Sequence, residues 1–475
     1  MKAYLCALTL AAAGLPAGNA LPLDVNSTES IRNASATIAY GLMSWYKNNQ
    51  STTAPTAVGT MPEPLYWWEA GAVWGGMVDY WAYTNDYSYV PTVQQALLAQ
   101  VGPDDNYMPP AYFSSLGNDD QAFWAFAAMS AAEYGFPIPS GNSTSTWIDL
   151  VEAVFNTQWP RWNTASCGGG LKWQIFPSNK GYNYKNTISN GGLLQISARL
   201  ARYTGNQTYV HWAEKAWDWM YAIGLIDDNY NVFDGTSDTI NCTQVDHTPW
   251  TYNYGVLLYG TAIMYNYTNG SQLWENRTTG ILTAAANTFF SPYKNATDIM
   301  YQYACEPYNT CDNDQLSFKA YLARWMAKAA IVAPYITEPV TLLLTRSAEA
   351  AALSCSGPPN GTTCGEKWYV GGYDGSYGVG QELSALETVQ SLLLLRGGVN
   401  GSHRYPYTQS DVHIAQADTS PSTTLTLPAK TSDPTVGATP RSAGAGKSFE
   451  IGGKVVGFWT SMVIVTVVMT CGFTS

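Results

Sequence analysis

The feature that most constrains this chain is a succession of helical segments joined by turns too short for anything but hairpins. Apolar periodicity marks twelve candidate helices, over 29–48, 66–83, 88–100, 119–134, 147–158, 187–204, 207–222, 251–268, 271–290, 313–333, 337–353 and 379–396. Thr204-Gly205-Asn206 separates 187–204 from 207–222, and Thr268-Asn269-Gly270 separates 251–268 from 271–290. Polar Gly/Asn connections of this length fold neighbouring helices back on each other. Helix 187–204 sets Leu193, Ile196 and Leu200 on one stripe, the mark of a helix with a covered face. Helix 119–134 carries Phe123, Trp124, Phe126, Ala127, Ala128 and Met129; it is apolar nearly all round and belongs inside the fold. Twelve helices in alternating hairpins predict an all-α toroid: an inner ring, an outer ring, and a cleft made by the loops at one end.

The helical body spans about 22–405, and the segments outside it read as addresses. Lys2, the apolar run 3–13 and the small residues Gly18-Asn19-Ala20 form a secretory signal over 1–20. Its apolar core is shorter than the ~20 residues of a membrane span. Residues 406–441, rich in Ser, Thr, Pro and Ala, cannot build a core and read as a stalk open to O-glycosylation. In 442–475, the run Ser442-Ala443-Gly444-Ala445-Gly446 precedes a polar spacer with Lys447, Glu450 and Lys454, then the apolar stretch 455–473. This is the pattern exchanged for a GPI anchor, with Ser442 as attachment site. No basic residue follows the apolar stretch to hold it as a cytoplasm-facing span. The expected place of the protein is the outer face of the plasma membrane.

Cysteines agree with secretion. Cys6 and Cys471 fall in the processed ends, which leaves Cys167, Cys242, Cys305, Cys311, Cys355 and Cys364 for disulfides. Short loops favour Cys305–Cys311 and Cys355–Cys364, leaving Cys167 for Cys242, although spacing alone keeps other connectivities open. Glycosylation sequons begin at Asn26, Asn33, Asn49, Asn142, Asn206, Asn241, Asn266, Asn269, Asn276, Asn295, Asn360 and Asn400. A net charge of -12 argues against nucleic acid, whose binding needs basic patches. No metal or cofactor is expected: His211, His247, His403 and His413 have no ligand spacing, and Cys-x-x-Cys, phosphate-loop and nucleophile-elbow motifs are missing.

Only 12% of residues are charged, so the adjacent pair Asp119-Asp120 stands out at the start of the apolar helix. Aspartate is a favoured cap and suits the positive end of a helix dipole, which is sufficient reason for one acid. Two carboxyls side by side against an apolar wall resist joint ionisation. They match the nucleophile and acid/base of a retaining glycosidase, provided the first acid stands at the cap and not in the helix proper. Aromatic residues are abundant, with 18 Trp, 33 Tyr and 13 Phe. Several lie in polar, Gly-rich company: Tyr66-Trp67-Trp68-Glu69-Ala70-Gly71, Gly170-Leu171-Lys172-Trp173-Gln174, and Thr248-Pro249-Trp250-Thr251-Tyr252-Asn253-Tyr254-Gly255. Such rings serve core packing or the apolar faces of sugars. Asn190-Gly191-Gly192 suits a turn and cap, or a close approach of ligand to backbone.

Asn118-Asp119-Asp120-Gln121-Ala122-Phe123-Trp124 resembles the catalytic segment of glycoside hydrolase family 76. Ser189-Asn190-Gly191-Gly192-Leu193-Leu194 through Tyr203-Thr204-Gly205-Asn206, and Thr251-Tyr252-Asn253-Tyr254-Gly255, resemble further family segments. Tyr66-Trp67-Trp68-Glu69-Ala70-Gly71 and Cys305-Glu306-Pro307 through Asp312-Asn313-Asp314-Gln315 resemble its fungal, GPI-anchored endo-α-1,6-mannosidase-like cell-wall branch. The likeness runs over about 25–400. It implies an (α/α)6 barrel acting with retention on α-1,6-linked mannose, with Asp119 as nucleophile and Asp120 as acid/base. It makes Asn190, Tyr252 and Asn253 candidates for sugar contact, together with Trp173 and Gln174. Implied partners are α-1,6-mannan or the mannose core of GPI glycans, cell-wall glucan as an acceptor in transfer, and the membrane through the anchor. The rival readings are a mannan-binding wall lectin that does not cleave, and a structural anchored glycoprotein.

Overall fold

Each of the twelve periodic segments is helical in the computed structural model, which describes residues 20–139 and 145–397. The helices are α1 (Thr28–Ser44), α2 (Trp67–Thr84), α3 (Val90–Ala99), α4 (Asn118–Tyr134), α5 (Trp147–Gln158), α6 (Thr187–Thr204), α7 (Gln207–Ala222), α8 (Thr251–Tyr267), α9 (Gln272–Phe289), α10 (Phe318–Val332), α11 (Thr337–Ser354) and α12 (Val379–Leu395). The even-numbered helices form a closed inner ring: α2 packs on α4, α4 on α6, α6 on α8, α8 on α10, α10 on α12, and α12 on α2. The odd-numbered helices lie outside them, α1 against α12, α3 against α2, α5 against α4, α7 against α6, α9 against α8 and α11 against α12. The fold is therefore an (α/α)6 barrel. Inner helices are buried on nearly every side, as the apolar run of α4 requires.

A balanced charge cluster fills the barrel axis below the cleft. Arg199 pairs with Glu133 at 2.7 Å, Arg324 with Glu387 at 2.9 Å, and Lys328 with Asp79 at 2.8 Å. Ser130 accepts hydrogen bonds from both Arg199 and Lys328. Three acids face three bases from α2, α4, α6, α10 and α12, all buried. Removing one member leaves an unpaired buried charge, a loss of ~3–5 kcal/mol. The cluster thus fixes how five inner helices meet. Glu133 lies on the same helix as Asp120, ~20 Å deeper at 1.5 Å per residue.

Two details within this helical fold were not expected. Strands β1 (Tyr184–Asn186), β2 (Gly235–Ser237) and β3 (Val245–Asp246) form a small antiparallel sheet, with Lys185 opposite Thr236 and Thr236 opposite Val245. Strands this short leave no readable alternation in sequence. The tenth helix begins at Phe318 and not at 313, because Asp312 starts a turn in which Leu316 N–H bonds to its carbonyl and its own N–H bonds to Gln315 Oε1. That turn frees Asp314 from the helix.

Disulfides join Cys167 to Cys242, Cys305 to Cys311 and Cys355 to Cys364. Among the ten described sequon asparagines, nine are exposed. Asn266 is the exception: it is buried, its Oδ1 accepts from Arg202 Nε, and its Nδ2 donates to Val332 O. The nitrogen a glycan would occupy is already bonded inside the fold. The signal segment to residue 19, the stalk, Ser442 and the apolar tail lie outside the described residues. So do Asn142, Asn400, Cys6 and Cys471.

Candidate active site

The start of α4 sets the two acids. Gly117 is the N-cap, in extended backbone, and Asp120 in the first turn accepts its N–H at 2.7 Å. Asp119 Oδ1 accepts the Asp120 N–H at 3.0 Å. A Cβ at 117 would stand 2.3 Å from Asp119 Oδ1, so any other residue there must displace that carboxyl. The cap is therefore Gly117 and not Asp119, which overturns the condition set from sequence: both acids stand in the helix proper, in its first turn, and both still line one cleft.

The pair opens into a cleft of about 240 Å³ at the N-terminal ends of the inner helices. Trp68 comes from α2, Phe123 from α4, Trp250 and Tyr252 from the start of α8, and Phe318 from α10. Tyr184 and Asn186 arrive on β1, just before α6. Two more acids complete the lining, Asp234 ahead of β2 and Asp314 in the turn before α10. Tyr252 stacks on Phe318 at 3.8 Å with rings 8° from parallel, giving a flat wall. Rings on several sides and carboxyls at the floor suit a ligand with an apolar face and a hydroxyl rim.

Electrostatics favour protons here. Burial raises the Asp119 carboxyl well above its ordinary value, and repulsion from Asp120 adds to it. Burial pushes Asp120 up to about 6, against the Gly117 N–H that favours its ionised form. Asp234 is raised to about 6, again chiefly by burial, while Tyr184 Oη donates to it at 2.8 Å. Asp314 is raised to about 7 by burial and by the nearby Asp312 charge; Trp68 Nε1 donates to it at 3.1 Å. Protons on Asp119 and Asp120 belong to the pair. Burial and repulsion together favour a neutral Asp119. A substrate oxygen beside Asp120 must draw the proton there if Asp119 is to attack.

Of the residues expected to touch sugar, Trp173 and Tyr252 line the cleft. Three others are not among the lining residues. Asn190 is fully buried: its Oδ1 accepts Leu171 N–H at 2.7 Å, and its Nδ2 donates to Leu171 O and Asn186 O. Asn253 is buried behind Asp234, donating to its Oδ1 at 3.3 Å. Gln174 accepts from Asn179 Nδ2 and bridges to Gly117 through backbone. These amides position what does line the cleft. Asn190 ties down Leu171, Asn118 N–H donates to Trp173 O, and Trp173 N–H donates to Tyr184 O, so Trp173 is clamped between α4 and β1. Lys185 braces the same loop, donating to the carbonyls of Asn163 and Ser166. Among the described residues no group of three His, Cys, Asp or Glu could hold a metal ion.

Asp234, Asp314 and Tyr184 are among the cleft residues that sequence reasoning did not single out. Asp314 carried a usable signal, since it stands in an acidic turn directly before an apolar helix. Asp234 carried none, because its placement depends on the distant pairing of β1 with β2.

An (α/α)6 barrel that gathers paired carboxyls and aromatic rings at its inner-helix starts has the architecture of a glycoside hydrolase. Its sequence matches glycosyl hydrolase family 76 over residues 30–403, and the chain belongs to this family. It is 48% identical to the mannan endo-1,6-alpha-mannosidase DCW1 of Saccharomyces cerevisiae, over 78% of this chain and 81% of that protein. The crystal structure of Dfg5 from Chaetomium thermophilum, in complex with glucosamine, superposes with a TM-score of 0.74 at 42% identity, covering 78% of this chain and 92% of that one. The fold is shared with the GH76A alpha-1,6-mannanase of Salegentibacter sp. HEL1_6, with a TM-score of 0.59 at 17% identity, over 77% and 99% of the two chains.

Proposed function

We propose that this enzyme cleaves α-1,6-linked mannose with retention, and passes the released chain end either to water or to a sugar hydroxyl. The observation that carries this reading is the adjacent pair Asp119 and Asp120, held by Gly117 at the floor of an aromatic cleft in a family 76 chain. Asp119 attacks the anomeric carbon and forms a glycosyl ester. As the glycosidic bond breaks, Asp120 gives its proton to the leaving oxygen. Asp120, now a carboxylate, takes a proton from water or from an acceptor hydroxyl. That oxygen attacks the anomeric carbon and releases Asp119. Asp234 and Asp314 accept hydrogen bonds from sugar hydroxyls. Trp173, Trp250 and the Tyr252–Phe318 stack offer flat faces to the ring.

The finer reading is transfer of GPI-linked mannose chains onto cell-wall glucan by a protein anchored through Ser442 at the outer membrane face. Its support is the secretory signal, the small-residue site before an apolar tail, and the exposed sequons. The test is incubation of the soluble body with α-1,6-mannotetraose, with and without a β-glucan oligosaccharide, followed by mass spectrometry. Hydrolysis yields shorter mannosides and transfer yields a mixed oligosaccharide. An unchanged substrate in both arms overturns the enzymatic reading.

A further inference from the structure

A second groove, of about 480 Å³, lies beside the cleft at the same end of the barrel. The two share one turn of chain: Asp314 and Gln315 line the cleft, while Asn313 and Leu316 line the groove. Its far side holds Trp45 and Tyr377, stacked at 6.2 Å with rings 20° from parallel, and Tyr377 is 64% exposed. Polar groups stand around this platform. Glu63 lies on the wall, and Asn313 Nδ2 donates to Pro64 O, tying the shared turn to the opposite lip. Gln381 is 2% exposed, and its Oε1 has no hydrogen-bond donor among the described residues. Gly378, at φ 153°, makes room for that amide, since a Cβ there would stand 2.8 Å from Oε1.

An exposed ring platform, a carboxylate and a buried amide lacking a donor are the parts of a site for a neutral pyranose. The cleft itself, at about 240 Å³, is smaller than the ~300–1,000 Å³ of most small-ligand sites. An endo-acting enzyme must hold chain on both sides of the bond it cuts. We infer that this groove is a distal subsite for the same α-1,6-mannan chain that occupies the cleft, with the chain crossing Asp314 and resting a sugar on Trp45 and Tyr377. This inference rests on the function proposed above.

The test is kcat/KM on α-1,6-mannooligosaccharides from three to eight units, for the wild-type chain and for Tyr377→Ala and Tyr377→Phe. Tyr377 is exposed, so neither change threatens folding. The expected result is a wild-type kcat/KM that rises with length. Tyr377→Ala should lose about tenfold on the longest substrates and under about twofold on the shortest. Tyr377→Phe should keep the wild-type profile. A loss equal at all lengths, or no loss, overturns the subsite. In a parallel arm, calorimetry measures binding of α-1,6-mannohexaose and of laminarihexaose to Asp119→Asn, with and without Tyr377→Ala. If Tyr377→Ala weakens only the laminarihexaose, the groove serves a glucan and the inference fails. Failure of the wild-type chain to cleave any mannoside would instead count against the proposed function, and the binding arm would still decide the groove.

Discussion

Asn190→Ala separates positioning of the cleft from contact with sugar. The residue is fully buried and its amide holds both backbone groups of Leu171. Alanine leaves that N–H and that carbonyl without partners in a dry environment. At ~1–3 kcal/mol for each orphaned group, the loss is about 3 kcal/mol. For a barrel of about 370 residues, with an unfolding entropy near 2.1 cal/mol/K per residue, this lowers Tm by about 4 °C. Leu171 stands two residues before Trp173, so the same change loosens a cleft wall and raises KM. Differential scanning calorimetry together with kinetics on an α-1,6-mannooligosaccharide reads both effects. Trp173→Ala is the comparison, since it should raise KM with a much smaller shift in Tm. If Asn190→Ala raised KM while Tm stayed at the wild-type value, the residue would touch sugar directly and the positioning argument would be refuted.

Asp314 makes stability depend on pH: its carboxyl titrates at about 7 when folded, against an ordinary 3.8. Between those values the folded chain binds more protons than the unfolded one, so stability falls as pH rises through this window. Asp314→Asn should be more stable than wild type above pH 7, with the gap closing below about pH 4, and parallel denaturant midpoints across that range would contradict this. Replacing Cys167 and Cys242 by serine opens a bridge spanning 75 residues. The chain-entropy relation gives a loss of about 4 kcal/mol, measurable by urea unfolding, and activity should fall because this loop carries Trp173. Glycopeptide mapping of the secreted protein should find Asn266 unmodified; a glycan there would mean that the α8 surface differs from the one described.

Most of the architecture could be read from helical period and turn chemistry. Runs of about seventeen residues repeat their apolar stripe several times, and Thr204-Gly205-Asn206 and Thr268-Asn269-Gly270 leave no room for anything but a hairpin. Closure of the ring was less legible, because it rests on contacts such as α12 on α2, between ends of the chain that share no local pattern. The candidate acids Asp119 and Asp120 were visible as a scarce charged pair before an apolar helix. What sequence could not supply was the direction of each side chain. Asn190 and Asn253 look like ligand contacts in a list of polar residues, yet backbone carbonyls and Asp234 already claim their amides. Asp234 itself reaches the cleft only through the pairing of β1 and β2, strands too short to announce themselves. The capping role of Gly117 was hidden for a related reason, since glycine offers no side chain from which to read a cap.

If Asp119 forms a covalent bond to the anomeric carbon, two displacements restore its configuration. Proton NMR during the first turnovers of an α-1,6-mannooligosaccharide reports that configuration directly, before mutarotation blurs it. The product is expected to appear first as the α anomer, or as a new α linkage when a sugar accepts the chain. A β anomer appearing first would mean a single displacement by water, and the assignment of Asp119 as nucleophile would be wrong.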